Sequence, residues 1–188
     1  MPVQQLIQIF EQNRNPENSL PMQKYMKDKF PFLGIKAPER RKLMGEFFRK
    51  SNILKKEFDW RFVEKLWELA EREFQYAAVD YIEKSMKKLK KEDLLLLEKL
   101  ITTKSWWDTV DALATKPVGK IASLYPEVIG ETIEKWASGE NIWLIRTAIL
   151  FQLKYKDKTD EQLLYRFILQ NKDSNEFFIQ KAIGWALK

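Results

Sequence analysis

The chain has 188 residues, a formal net charge of +6, and neither cysteine nor histidine. These absences exclude disulfides, thiol chemistry, histidine bases and metal sites built from His or Cys. A carboxylate-only magnesium or calcium site is not excluded, but the sequence has no Asp-rich loop with the glycine such a loop needs, so neither a metal nor a cofactor is expected. The charge favours a polyanionic partner, with nucleic acid ahead of a membrane surface, although a merely lysine-rich soluble protein has the same composition. Without a signal peptide or a spanning apolar run, the protein is predicted to be cytoplasmic.

Apolar residues recur three and four positions apart and glycine is scarce, which predicts an all-α chain. Two helices are expected at 3–12 and 21–30, separated by a break at Asn13-Arg14-Asn15-Pro16. Pro38 and Glu39 mark the start of a third helix. The further helices are expected at 60–70, 71–88, 92–102, 105–124, 126–138, 142–155, 160–171 and 176–188.

Local signals predict how two of these helices begin and where one is interrupted. Ser105 is expected to cap its helix, with Asp108 as the reciprocal carboxylate of a capping box, and Thr159 with Gln162 predicts a second box. Pro117 should break or kink the helix that begins at Ser105, because proline has no amide hydrogen to donate.

An aromatic residue recurs in the second helix of each predicted pair, at Phe74, Trp107, Trp143 and Phe178, with spacings of 33, 36 and 35 residues. A period of this size predicts a HEAT-like α-solenoid, in which antiparallel helix pairs stack and their second helices line one concave groove. We therefore expect residues 1–188 to form a single repeat domain.

Asp111, Arg146 and Lys181 follow these aromatic residues at or beside equivalent positions, so all three are expected to face the groove. The cations suit a phosphate backbone, but the carboxylate of Asp111 needs another explanation. It either forms a salt bridge to Arg146 or stabilises positive charge that develops on a substrate. Because a sugar that loses its base develops oxocarbenium character, the second interpretation suits cleavage of an N-glycosidic bond.

Trp107 lies four residues before Asp111, which places an indole and a carboxylate on one face of a helix. The alternative interpretation is that Trp106 and Trp107 both belong to the core and that Asp111 is solvated or paired, since aromatic residues at helical spacing are usually packing residues. The spacing alone leaves both interpretations open.

Several specific strings, spread over nearly the whole chain, support a family resemblance. They are residues 21–26 (PMQKYM), 32–35 (FLGI) with 38–41 (PERR), 71–75 (EREFQ), 103–108 (TKSWWD) with 110–111 (VD), 141–144 (NIWL) with Arg146, 149–155 (ILFQLKY) and 176–185 (EFFIQKAIGW). On these strings the sequence resembles the AlkD-type alkylpurine DNA glycosylases, a family of HEAT-repeat DNA alkylation repair enzymes.

The resemblance implies a DNA glycosylase that acts on duplex DNA. It is expected to be monofunctional, because no lysine lies in the motif as a Schiff-base nucleophile, and to be a monomer without an obligate protein partner. The resemblance also implies that cationic N3- and N7-alkylated purines are removed without base flipping, unlike in most glycosylases. Asp111 would be the catalytic carboxylate, with Trp107 and Trp185 flanking the lesion. The residues expected to contact DNA are Arg146, Lys154, Lys181, Arg41, Lys36 and Tyr25.

Two features depart from the family pattern. Lys36 and Ala37 stand where the family commonly has polar Gln and Thr, so contacts there are expected to differ. The sequence also ends at Lys188 within a predicted helix, whereas family members usually continue into further helices. Two alternatives to the enzyme are a non-catalytic HEAT-repeat DNA-binding protein and a solenoid for protein partners, and the latter predicts an apolar groove.

Overall fold

The computed structural model describes all residues from Met1 to Lys188, and every regular element is helical. The all-α prediction is therefore confirmed. The chain divides into two compact units, Met1–Lys88 and Leu89–Lys188. The single repeat domain stays a prediction. No helix combines the length and the apolar character that are needed to cross a bilayer.

The first unit contains five α-helices: α1 (Pro2–Gln12), α2 (Pro16–Tyr25), α3 (Ala37–Ser51), α4 (Trp60–Glu68) and α5 (Arg72–Lys84). Short 3-10 turns follow α3 and α5, at Ile53–Lys55 and Met86–Lys88. The predicted break after the first helix is present at residues 13–15, but α2 begins at Pro16, five residues before its predicted start. Asn15 caps this helix by accepting from the backbone N–H of Glu17 at 3.1 Å, and proline is well suited to the first helical position that follows.

Stacked phenylalanine rings join the helices of the first unit. Phe10 of α1 stacks on Phe74 of α5 with ring centroids 5.5 Å apart. Phe47 of α3 stacks on Phe62 of α4 at 5.7 Å. All four side chains are buried. These contacts combine the loss of exposed apolar surface with the preferred geometry of aromatic pairs, so they help to hold this unit's core together.

The second unit contains α6 (Asp93–Ile101), α7 (Trp107–Leu113), α8 (Gly119–Leu124), α9 (Glu134–Ala137), α10 (Ile142–Leu150), α11 (Glu161–Asn171) and α12 (Phe177–Ala186). π-helical turns at Ala114–Val118 and Ile129–Ile133 lead into α8 and α9, and a 3-10 turn lies at Lys156–Lys158. Pro117 lies inside the first π turn. The wider turn accommodates the residue without a donor, so the helix is not broken at Pro117, and the interruption of its regular geometry is this π turn.

Both predicted capping boxes are wrong. Trp106 is the N-cap residue of α7, and the hydroxyl of Ser105 instead donates to the carbonyl of Ile101, at 2.6 Å, near the end of the preceding helix. Asp160, not Thr159, caps α11 with its carboxylate. In each case the helix begins one or two residues later than predicted, which frees the hydroxyl to bond a carbonyl of the preceding turn.

Helix α10 is the central helix of the second unit. It packs against α7, α9, α11 and α12, and seven of its nine residues are buried. Helices α7, α10 and α12 are the second helices of the predicted pairs, so the sequence period correctly predicted that these three would be neighbours. Side chains separated by about 35 residues in the sequence are thereby brought together.

Candidate active site

Asp111 on α7 and Arg146 on α10 form a bidentate ion pair. The guanidinium Nε donates to Oδ1 at 2.7 Å, and Nη2 donates to Oδ2 at 2.8 Å. Arg146 is 5% exposed, whereas the Asp111 side chain retains 16% of its exposure. Two parallel bonds fix the plane of the carboxylate as well as its position. The salt bridge that the sequence left open is therefore present.

The same guanidinium also contacts a third helix. Nη1 of Arg146 donates to the backbone carbonyl of Phe178 in the first turn of α12, at 2.6 Å. These contacts use three of the five N–H donors of the guanidinium, so Nη1 and Nη2 each retain one. Arg146 therefore links α7, α10 and α12, and two of its N–H groups make no hydrogen bond within the protein.

An aromatic cluster borders this ion pair. Trp106, Trp143 and Phe178 lie with ring centroids 4.8 to 5.7 Å apart, and the Arg146 guanidinium lies 5.8 Å from the Phe178 ring. The sequence period assigned Trp107 to this row, but the structure places its neighbour Trp106 there. Trp107 is instead the first residue of α7, half-buried and one helical turn before Asp111.

A cavity of about 670 Å³ lies beside the ion pair. Its lining consists of Arg146 and one side of α12 with the chain end that follows it: Phe177, Gln180, Lys181, Gly184, Trp185 and Lys188. The structure thus brings together three predicted site residues, Arg146, Lys181 and Trp185. Phe177, Gln180, Gly184 and Lys188 were not predicted, although the spacing 177, 180, 181, 184 places the first three beside Lys181 on one side of a helix.

The chemical character of this cavity is cationic and aromatic. The side chains of Arg146, Lys181 and Lys188 contribute positive charge, and Trp185 presents an indole that is 45% exposed. Such a lining suits phosphates together with the faces of sugars or bases, and it differs from the apolar groove expected of a protein-binding solenoid. No group of three or more acidic side chains is close enough to hold a metal ion.

The remaining predicted residues lie elsewhere. Three of them, Asp111, Trp107 and Lys154, are outside the cavity lining, and Lys154 is exposed in the turn that follows α10. In the first unit, Tyr25 ends α2 and is 70% exposed. Lys36 is the exposed N-cap residue of α3, and Arg41 is exposed within the first turns of that helix. The exposed side chains of this set are accessible to a large ligand.

Comparisons with known proteins give a consistent result. The family model described as "DNA alkylation repair enzyme" matches residues 6–188. A solved structure, described as a "Predicted DNA alkylation repair enzyme from Enterococcus faecalis", is similar to this chain with a TM-score of 0.81 and 34% sequence identity. The match covers 93% of this chain and 81% of that chain. No curated protein matches the sequence.

Proposed function

We propose that this chain is a monofunctional DNA glycosylase. The chain belongs to the DNA alkylation repair enzyme family, and it therefore acts in the repair of alkylated DNA. Its substrate is duplex DNA that carries cationic N3- or N7-alkylated purines, and its product is an abasic site. The observation that best supports this proposal is the carboxylate of Asp111, which is held by an arginine that also lines a cationic, aromatic cavity.

The proposed reaction requires stabilisation of charge on the sugar. The bond between C1′ and the base nitrogen breaks, and both electrons leave with the base, which becomes neutral because it was cationic. Positive charge then develops on the sugar ring, where the Asp111 carboxylate stabilises it. The oxygen of a water molecule bonds to C1′, and the proton it loses passes to solvent. Arg146 keeps the carboxylate oriented throughout.

The neighbouring side chains have complementary roles in this proposal. Trp185 and Trp107 flank the sugar and backbone of the lesion, where indole faces attract a cationic group. Lys181 and the two remaining N–H groups of Arg146 contact phosphates. Trp185 and Phe177 are 45% and 60% exposed, so the cavity is open at these side chains. An open site suits excision without base flipping, because a cationic base is already a good leaving group.

The rest of the duplex is contacted by exposed side chains away from the cavity. These are Lys154 in the second unit, and Arg41, Lys36 and Tyr25 in the first. The three cations would bind phosphates and the phenol of Tyr25 would contact the backbone. Binding by a monomer should therefore weaken steeply as salt concentration rises.

The test is single-turnover release of 7-methylguanine from a methylated duplex by the parent protein and by Asp111→Asn. The variant is expected to lose excision by roughly 100-fold or more, as when other transition-state contacts are removed. Binding of the duplex should be retained, because the substituted side chain is not a phosphate contact. Unchanged excision would remove Asp111 from the mechanism.

Asp108→Asn is the matched control. It makes the same change of charge on the same helix, but the Asp108 carboxylate accepts from the backbone N–H of Thr109 at 3.0 Å, and the bidentate bonds of Arg146 go to Asp111. Excision by this variant should equal that of the parent. Borohydride should trap no covalent complex, although Lys181 and Lys188 line the cavity, because no Schiff base forms in a monofunctional enzyme.

A second candidate function is a non-catalytic DNA-binding protein of the same fold. It is favoured by the position of Arg146, since a guanidinium that links three helices has a structural role whether or not catalysis occurs. Retained duplex binding without release of 7-methylguanine by the parent would support this candidate over the enzyme.

A further inference from the structure

Arg72 and Glu73, at the start of α5, are fully buried charged residues that the proposed mechanism does not use. They belong to the string EREFQ, which also has no role in that mechanism. Burying a charge is costly unless it is well paired, so both side chains need an explanation. The explanation lies in the α2–α3 loop, residues 30–36, which both side chains contact.

Glu73 accepts three hydrogen bonds from consecutive backbone N–H groups of the α2–α3 loop. Its Oε1 accepts from Leu33 at 2.9 Å, and its Oε2 accepts from Gly34 at 2.8 Å and from Ile35 at 3.0 Å. Hydrogen bonds to a charged acceptor are roughly twice as strong as neutral ones. One carboxylate therefore fixes three successive residues of the loop.

Arg72 holds the beginning of the same loop. Its guanidinium lies 3.7 Å from the centroid of the Phe30 ring, and its backbone N–H donates to the carbonyl of Pro31 at 2.9 Å. The first turn of α5 thus contacts the loop along nearly its whole length, from Phe30 to Ile35.

Helix α2 holds the opposite side of the loop. The backbone N–H of Asn15 donates to the carbonyl of Leu33 at 2.9 Å, and Nδ2 of Asn18 donates to the carbonyl of Gly34 at 3.3 Å. Gly34 has φ +96°, and a Cβ there would lie 1.9 Å from the carbonyl oxygen of Asn15. The approach is so close that only glycine fits, and the loop has little freedom to move.

The immobilised loop ends at Lys36, which is exposed and is the N-cap residue of α3. We propose that Glu73 is a positioning residue for DNA binding: it acts through the α2–α3 loop to hold Lys36 where it contacts a phosphate. This inference rests on the proposed function, because it takes duplex DNA as the ligand. A lysine on a fixed backbone loses less entropy on binding than one on a mobile loop, so the hydrogen bonds from Glu73 to the loop increase the affinity for DNA.

The test combines Glu73→Gln, Lys36→Ala and the double variant, with ordinary duplex binding measured by fluorescence anisotropy. The amide that replaces the Glu73 carboxylate would present a donor to a loop N–H, which loosens the loop. Each single variant should bind about tenfold more weakly, since each loses one charge-assisted contact. The double variant should bind like Lys36→Ala, because both changes remove the same contact. The slope of the logarithm of duplex affinity against the logarithm of salt concentration (the salt slope) should become shallower by about 0.9 in each variant.

A matched control on the same helix distinguishes a positioning role of Glu73 from a purely structural one. Gln75 is also fully buried, but its Nε2 donates to the carbonyls of Leu66 and Leu69 at the end of α4, and not to the loop. Gln75→Leu should lower stability and leave duplex affinity unchanged. Equal weakening of binding by Gln75→Leu and Glu73→Gln would overturn the proposal, as would parent-like affinity of Glu73→Gln or additive effects with Lys36→Ala.

Asn18→Ala tests the proposal if Glu73→Gln does not fold. It removes one bond to the loop from a partly exposed side chain, so binding should weaken by about threefold, again without additivity with Lys36→Ala. Parent-like affinity would then overturn the positioning role. Base excision is a separate measurement. If the variants change duplex affinity as expected but the parent releases no base, the glycosylase proposal is refuted and the positioning role of Glu73 is supported.

Discussion

Two carboxylates, one in each unit, are held by strong hydrogen bonds but have different surroundings. Glu73 is fully buried, and its partners are three backbone N–H groups of a neighbouring loop. Asp111 keeps 16% of its side-chain exposure, and its partner is a guanidinium that lines a cavity. The comparison shows that burial and the nature of the donor, not the carboxylate itself, separate a structural acid from a candidate catalytic one.

The difference has a physical reason. Backbone N–H groups have few alternative positions, so a carboxylate that binds them fixes the chain and is itself unavailable to a ligand. A side-chain guanidinium fixes a carboxylate while leaving one edge accessible. Glu73 is therefore suited to holding a loop, and Asp111 is suited to facing a substrate whose charge changes.

The largest expected effect is on stability, and it compares the two carboxylates directly. Glu73→Gln should lower the free energy of unfolding by roughly 2 to 4 kcal/mol, because a buried N–H loses its acceptor and meets a donor. Asp111→Asn should lower it by about 1 kcal/mol, since the substituted side chain is partly exposed and water can reach it. Urea denaturation measures both. Equal losses would remove the distinction between a structural and a catalytic carboxylate.

Substitution of Arg146 tests whether the guanidinium orients the Asp111 carboxylate for catalysis. Arg146→Lys keeps the charge but cannot form the bidentate pair, so single-turnover excision should fall by roughly tenfold. The salt slope of duplex binding should stay that of the parent. Arg146→Ala should also reduce that slope by about 0.9, because one phosphate contact is lost. An unaltered slope in Arg146→Ala would show that Arg146 has a structural role and does not contact a phosphate.

The smallest expected effect on stability concerns Tyr155, which forms a side-chain hydrogen bond in the second unit and lies outside the cavity lining. Its hydroxyl donates to the carbonyl of Gly119 at 2.5 Å, and burial raises the pKa of its phenol to about 12. Because the unfolded value is 10.0, the neutral form contributes stability that is complete below pH 10 and is lost as the pH rises to about 12.

Tyr155→Phe is the comparison for that measurement. The variant should lose about 1 kcal/mol of stability at neutral pH, the usual contribution of one hydrogen bond. Its unfolding free energy should then fall less steeply than that of the parent between pH 10 and about 12. Parallel curves would show that the buried phenol does not titrate with folding.

Much of the fold could be predicted because helices arise from local patterns. Apolar spacing and proline positions located most helices to within a few residues, and the period of about 35 residues identified α7, α10 and α12 as neighbours. The errors were at the helix ends. Ser105 and Thr159 have the right chemistry for capping, but a cap depends on which residue the packed helix begins with.

The candidate site was less predictable for the same reason. The order of residues placed Asp111, Arg146 and Lys181 at related positions, but it left open whether Asp111 was paired. It also assigned Trp107, not Trp106, to the aromatic row with Trp143. A shift of one residue turns a helical side chain by about 100°, and only packing decides that rotation.

The sequence by itself determined the helical class, the basic charge and the residue types of the site, because these depend on local propensity, periodicity and composition. Only the tertiary structure decided that Arg146 bonds Asp111 and the carbonyl of Phe178, and that Glu73 holds the α2–α3 loop. These bonds join residues 32 to 40 positions apart, and both Phe178 and the loop contribute only backbone atoms to them. Backbone partners leave no mark in the sequence, so folding alone reveals them.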